Sequence, residues 1–279
     1  MRVHPPPDPG PATGGLARFL AAEEAVASVR VVRVRGSAPR EAGAEMFVAP
    51  GRAHGTIGGG RLERMAIEAA RGLLRGGEAS AAMDVPLGPE IGQCCGGRVE
   101  LALARMTPEA RAAAVAAEAE ALRARPQVLV LGAGHVGRAL AACLSLLPVR
   151  AVLIDSRAEE LARAPAGVGA CLTPLPEAEV AAAPPGSAFV VLTHDHALDF
   201  LLAAEALERG DARYVGLIGS ATKRFRFGRH CAERSPPVPT HALTCPIGAG
   251  GGADKRPEVI AAFVAAEIMA RLAVEAPAA

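Results

Sequence analysis

Two cysteines stand side by side, Cys94 and Cys95, in the stretch IGQCCGGRVE at residues 91–100. Adjacent Cα atoms lie about 3.8 Å apart. Disulfides usually span roughly 4.4–6.8 Å, so this pair makes a poor structural bridge. Gly92, Gly96 and Gly97 leave the backbone free to turn, with Gln93 between. A nest of backbone N–H groups there would favour a thiolate. Thiolates bind soft metals and carry sulfur. The alternative without chemistry is two small buried hydrophobes in a tight turn. Cys143, Cys171, Cys231 and Cys245 show none of the regular spacing of a zinc site.

Two glycine-rich turns could meet an anion. GAGHVG at residues 132–137 follows the apolar run VLVL, and Asp155 closes the next such run, VLID. This is the dinucleotide fingerprint in its proper setting. Gly132 permits the turn, Gly134 lets a phosphate approach the backbone, and Gly137 lets helix pack on strand. Asp155 falls where a ribose hydroxyl would be held. A Rossmann sheet whose nucleotide function is lost or changed fits the same residues. His135 inside the fingerprint and Arg157 after the acid are not explained by simple NAD binding. The second turn, GTIGGG at residues 55–60, also leads into a helix. Backbone N–H groups of Gly58, Gly59 and Gly60 would form an anion site at that helix start. A tight strand-to-helix turn would need the same glycines.

LTHDHALD, residues 192–199, follows another apolar run and puts His194, Asp195, His196 and Asp199 at the carboxyl edge of a sheet, where such folds bind ligands. A polar loop with a capping Asp is the plainer reading. Ser220 can cap a helix whose start carries Lys223 and Arg224, a place suited to anions. Cys245 lies in the glycine-rich stretch TCPIGAGGGADKRPEVI, as a third functional thiol or a packing residue.

The positioning elements follow from periodicity. LARFLAAEEA has helical spacing, and SVRVVRVRG and GRVELALARM alternate as strands do. AEMFVAP and AHGTIGGG bracket the turn PGR as a hairpin. RLERMAIEAARGLLRGG reads as an amphipathic helix ending on a glycine pair. TPEARAAAVAAEAEALRARP, residues 107–126, reads as a helical connector capped by Thr107 and closed by Pro126. QVLVLGAG, RAVLID, SAFVVLTHDH and RYVGLIGS are buried parallel strands alternating with helices, a doubly wound sheet. The expected class is α/β. A disordered tail spans 1–14, a mixed α/β domain 15–106, the connector 107–126 and a Rossmann-like domain 127–279.

The totals exclude several functions. Aromatic residues make up 3% of the chain and Trp is absent, so no stacking platform for single-stranded nucleic acid is expected. Thirty basic against 29 acidic residues leave a net charge of +1, which argues against a polybasic nucleic-acid or membrane surface. No apolar run approaches a membrane span of roughly 20 residues. The first residues lack the apolar region of a signal peptide. With only six cysteines, a cytoplasmic protein with reduced thiols is expected.

GSAPREAGAEM, GTIGGGRLE, GQCCGGRVEL, LGAGHVGRALA, LIDSR, LTHDHALD, YVGLIGSATKR and CPIG, in this order, resemble the XdhC/CoxI family from about residue 15 to about residue 270. These are accessory proteins of xanthine dehydrogenase and related molybdenum hydroxylases. The resemblance implies binding of the molybdenum cofactor (molybdopterin), support of its sulfuration with a cysteine desulfurase, and delivery to the apo-hydroxylase. It makes Cys94 and Cys95 the candidates for contact with molybdenum or its sulfur. A homodimer is expected, and NAD(P) is not the expected ligand. The glycine-rich centre of CPIGAGGGADKRPE departs from the pattern, and the resemblance implies no ligand role for that stretch. An NAD(P)-dependent oxidoreductase and a persulfide-carrying sulfurtransferase are the competing readings.

Overall fold

The structure, a computed structural model, describes residues 15–88, 96–252 and 254–273. The tail expected at 1–14 and the candidates Gln93, Cys94 and Cys95 lie outside the described residues. The chain divides into two compact units between Glu120 and Ala121.

The N-terminal unit is built on an antiparallel sheet of five strands in the order β3-β2-β1-β5-β4. These are β1 (Ala27–Arg35), β2 (Glu45–Val48), β3 (Ala53–Gly55), β4 (Ser80–Pro86) and β5 (Arg98–Arg105). Alternation along β1 buries Ala27, Val29 and Val31. A register shift between Val31 and Arg33 leaves Val32 54% exposed and brings Val34 onto the core. One extra residue thus resets the two-residue period, as a bulge does. Helix α2 (Gly60–Gly76) covers the inner face with Leu62, Ala66, Ala70 and Leu73, four residues on one helical stripe. It ends at Gly77 with φ 81°, the left-handed cap expected of its glycine pair. The predicted hairpin is β2–β3, with Met46 opposite Gly55.

The predicted connector is helix α3 (Pro108–Arg123), and Thr107 Oγ1 accepts from the Ala110 N–H at 3.2 Å. Its first turns are fastened to the N-terminal unit. The Arg111 guanidinium donates to the carbonyls of Leu20, Glu23 and Glu24 at 2.8, 2.8 and 2.7 Å. Those are open carbonyls at and beyond the end of helix α1 (Gly15–Ala22), which need donors from elsewhere.

The C-terminal unit is a six-stranded parallel sheet in the order β11-β10-β9-β6-β7-β8. The strands are β6 (Gln127–Leu131), β7 (Arg150–Asp155), β8 (Gly169–Leu172), β9 (Ala188–Val191), β10 (Tyr214–Leu217) and β11 (Leu243–Thr244). Counted within the unit, this is the 3-2-1-4-5-6 order of the doubly wound fold. Helix α4 (His135–Leu144), the short helix α5 (Ala158–Leu161) and helix α9 (Pro257–Ala273) cover one face, where Val128, Val130, Leu140, Leu161 and Val264 meet. Helices α6 (Pro176–Ala182), α7 (His196–Glu208) and α8 (Ala221–Ala232) cover the other, around Leu129, Leu131, Phe189 and Phe227. Successive residues of β6 feed opposite faces, so the strand is apolar throughout. The chain order reverses between β6 and β9, and their carboxyl ends form the mouth where such sheets bind ligands.

Candidate functional site

The mouth is a narrow pocket lined by Gly132, Asp155, Ser156, Thr193, His194 and Leu198, among others. Its three fingerprint glycines do different work. Gly132 has φ +123°, and a Cβ there would lie 2.5 Å from the Leu192 carbonyl oxygen. A Cβ on Gly137 would lie 1.9 Å from the Gly132 oxygen. Both are fixed by packing. Gly134 is not: its φ is −66°, and a Cβ there would meet nothing within 4 Å. The fold leaves open space where a phosphate would approach. No side chain caps α4, whose first residue His135 is exposed, so the N–H groups and dipole of the helix start face that space.

Asp155 is 7% exposed and already has partners. Oδ1 accepts from the Arg157 N–H and Nε at 3.0 Å each, and Oδ2 from the Ala133 N–H at 2.7 Å and Arg157 Nη2 at 2.9 Å. A carboxylate has about four lone-pair positions, and all are used. Burial alone would raise the pKa of Asp155. The hydrogen bonds from Arg157 and Ala133 outweigh burial and hold it at about 2. The ribose diol of a nucleotide would therefore find no free acceptor here.

The other glycine turn is filled from within. Glu63 Oε2 accepts from the N–H groups of Ile57 and Gly59 at 3.2 and 3.1 Å and from the Thr56 hydroxyl. The Gly58 N–H turns to Thr56 Oγ1 at 3.1 Å. The anion expected at Gly58, Gly59 and Gly60 is thus the chain's own carboxylate. The GSAPRE stretch packs here too, since a Cβ on Gly58 would lie 2.6 Å from Pro39 Cβ. The segment between β4 and β5 in the chain includes the cysteine pair. Its described ends are pinned together: the Leu87 N–H donates to the Gly97 carbonyl at 2.7 Å and the Gly96 N–H to the Leu87 carbonyl at 2.9 Å. A Cβ on Gly97 would lie 2.1 Å from the Ser37 oxygen, so only glycine fits at that crossing.

After β9, Asp195 caps α7 by accepting from the Ala197 and Leu198 N–H groups at 2.7 and 3.3 Å. His194 and His196 flank it, both exposed, and His194 lines the pocket. Asp199 is fully buried and accepts from the Thr193 N–H and hydroxyl at 2.9 and 2.8 Å. Its other oxygen is paired with Lys223 Nζ. The ammonium expected to meet an anion at the start of α8 is therefore engaged by a carboxylate. Ser220 does cap that helix, accepting from the Lys223 N–H at 3.4 Å. Sequence reasoning missed Glu63, although an acid in the first turn of a helix reaching back to the N-cap N–H is a local signal. It also missed the Asp199–Lys223 pair, whose partners lie on different helices.

Three of the described thiols are made poorer nucleophiles by burial. Burial raises Cys171 to about 11, with Glu179 adding to the shift, and burial also raises Cys231 and Cys245. Cys245 is 2% exposed and packs in the core. Among the described residues no cluster of three His, Cys, Asp or Glu could hold a metal ion, and no helix is long and apolar enough to cross a membrane.

Residues 128–268 match the XdhC Rossmann domain, slightly more than half of the chain, and residues 19–85 match the XdhC and CoxI family. The chain belongs to the XdhC/CoxI family. The cysteine pair lies between the two matched segments, while Gly132, Gly134, Asp155, His194 and Lys223 lie within the XdhC Rossmann domain. The crystal structure of a xanthine dehydrogenase from Bacillus halodurans superposes with a TM-score of 0.79 at 16% identity, covering 95% of this chain and 96% of that one. At that identity the likeness is one of fold. Among curated proteins none matches.

Asp155 makes the stability of the C-terminal unit depend on pH at the acid end. A carboxylate whose folded pKa lies below its ordinary value of 3.8 adds stability above that value and loses it as pH falls toward about 2. For Asp155 the contribution is about 2 kcal/mol, since one pKa unit is worth about 1.4 kcal/mol. Tyr214, the one tyrosine in a chain without tryptophan, is buried in this unit and reports its unfolding by fluorescence. Asp155→Asn is expected to cost about 2 kcal/mol more at pH 5 than at pH 2. Parallel urea transitions of wild type and variant across that range would show the contribution lies elsewhere.

Proposed function

We propose that this chain is an accessory protein that holds and shields the molybdenum cofactor, supports its sulfuration with a cysteine desulfurase, and delivers it to an apo xanthine dehydrogenase or a related molybdenum hydroxylase. Membership of the XdhC/CoxI family, matched in both units, carries this reading. The chain acts as carrier, not catalyst. Soft donors at Cys94 and Cys95 suit a sulfur-rich metal that must be held and then released. The open space at Gly134 suits the phosphate of the pterin.

A persulfide-carrying sulfurtransferase shares the same residues. Burial pushes the thiols of Cys171, Cys231 and Cys245 up, which disfavours them for that role, and the paired Cys94 and Cys95 are its first candidates. The reading as an NAD(P)-dependent oxidoreductase is favoured by the fingerprint, and the filled acceptor positions of Asp155 oppose it for NAD, whose ribose diol would need them.

The test is purification from cofactor-replete cells, with molybdenum and pterin measured per folded chain. The Cys94→Ala/Cys95→Ala double variant is expected to retain less by about tenfold or more, the scale of losing metal-site contacts, and to melt as wild type does. Full retention in the double variant would sink the proposal. The single variants apportion the effect between the two thiols.

A further inference from the structure

The Asp155–Arg157 pair changes what the mouth of the C-terminal sheet can recognise. In a nucleotide site of this fold the acid after the second strand takes the ribose hydroxyls, whereas a nearby Arg accommodates a phosphate on the ribose. Here the acid is saturated, and the Arg that saturates it is fixed. Nε and Nη2 of Arg157 each donate to one oxygen of Asp155, at 3.0 and 2.9 Å, in a two-pronged contact. The Asp155 side chain is 4% exposed and the Arg157 side chain 33% exposed. The pair is buried on the acid's side and open on the arginine's. A guanidinium has five N–H groups, and Asp155 uses two. Asp155 lines the pocket and holds the guanidinium by two bonds, so the remaining donors start from a fixed position next to that lining residue, with Glu159 and Glu160 acting on the same guanidinium.

We propose that Arg157 makes this mouth a site for a phosphomonoester rather than for a ribose diol. A dianionic phosphate gains charge-assisted hydrogen bonds from a guanidinium held in place by Asp155. A neutral diol gains less: its oxygens can accept from the same donors only without charge assistance from the ligand side, and its O–H groups find no open acceptor on Asp155. The open backbone at Gly134 gives the same ligand a second polar contact at the start of α4. The phosphate can belong to a nucleotide or to a phosphorylated pterin. This inference rests on the mouth being a ligand site, as proposed above, but not on the ligand being the molybdenum cofactor.

Isothermal titration of the full chain with two isomers tests it. Adenosine 2′,5′-bisphosphate carries a phosphate at the ribose 2′ position, and ADP carries the same number of phosphates but a free diol. Wild type is expected to bind the bisphosphate tighter by about tenfold, the scale of one or two hydrogen bonds to a charged group. Arg157→Gln is expected to abolish that preference and to leave ADP binding equal or improved, since Asp155 is then free. Arg157→Lys, which keeps the charge without the fork, is expected to fall between. Equal binding of the two isomers by wild type, binding of neither, or a preference that survives Arg157→Gln would each overturn the inference. The second arm uses chain isolated with pterin bound. Displacement of pterin by the bisphosphate assigns the phosphate to the cofactor. Simultaneous binding assigns it to a nucleotide, and both outcomes support the phosphomonoester. Chain isolated without any pterin speaks against the cofactor reading and leaves the isomer test intact.

Discussion

Gly137→Ala destabilises the C-terminal unit by about 2–3 kcal/mol, in the range of a severe overpacking substitution. The direction runs against helix propensity, which favours Ala over Gly inside a helix by about 1 kcal/mol. Sterics decide it. The added Cβ would lie 1.9 Å from the Gly132 oxygen and 2.8 Å from Leu192 Cδ1. The nearest atom is backbone, at the turn from β6 into α4, and no rotamer change can move it. Relief requires α4 to lift off the sheet, and α4 carries Leu140, Ala141 and Leu144 into the core. Gly134→Ala is the matched control. Its Cβ meets open space and its φ is ordinary for any residue, so stability is expected to hold or rise slightly. What Gly134→Ala loses is the approach of a phosphate, seen as weaker ligand binding in a chain of normal stability. Urea unfolding followed by Tyr214 fluorescence measures both. A Gly137→Ala variant as stable as wild type would show that the turn relaxes more freely than its contacts suggest.

Such a glycine could be identified from sequence because its reason is local. The fingerprint lies between two continuous apolar strands, and turn, phosphate approach and helix packing each fix one residue at a known offset. The parallel strands β6, β7, β9 and β10 were legible for a similar reason, being apolar on both faces. Strand β4 was not. Its sequence, SAAMDVP, has little β propensity, a Pro at its end and mostly exposed residues. It exists because β5 pairs with it from Ser80 to Pro86 at the sheet edge. β8, only four residues long and half-exposed at the other sheet's edge, is the same case. At the site, residue types were legible and their partners were not. Glycines 58–60 announced an anion site, but the anion is Glu63, which reaches back to the N–H of Ile57 across six positions. Asp155 announced a ribose acceptor, but Arg157 is two residues away and folds back onto it. Lys223 announced an anion contact, yet it reaches a carboxylate on a different helix. The last two outcomes depend on a side-chain direction or a helix–helix approach that no spacing encodes.

Lys223 gives the sharpest test of that difference. Lys223→Met is expected to destabilise the C-terminal unit by about 3–5 kcal/mol, the cost of stranding one partner of a buried ion pair. Asp199 has 0% exposure, and its two bonds from Thr193 satisfy one oxygen, leaving the other to Lys223 alone. Without the ammonium that oxygen loses its bond from Lys223 while the carboxylate stays buried. Asp199→Asn is expected to cost less. The Lys223 side chain is 12% exposed and its long stem can carry the charge toward solvent. The double variant Asp199→Asn/Lys223→Met removes both charges and is expected to recover much of the loss, since a neutral replacement avoids the uncompensated carboxylate. The same three variants separate a structural lysine from a ligand contact. A lysine serving mainly to grip an anionic ligand would lose ligand on substitution while the Tyr214-monitored unfolding stayed at the wild-type midpoint. A lysine serving Asp199 shifts the midpoint with no ligand present, and the double variant restores it. Unchanged stability in Lys223→Met would return Lys223 to the anion-binding role that its place at the start of α8 suggests.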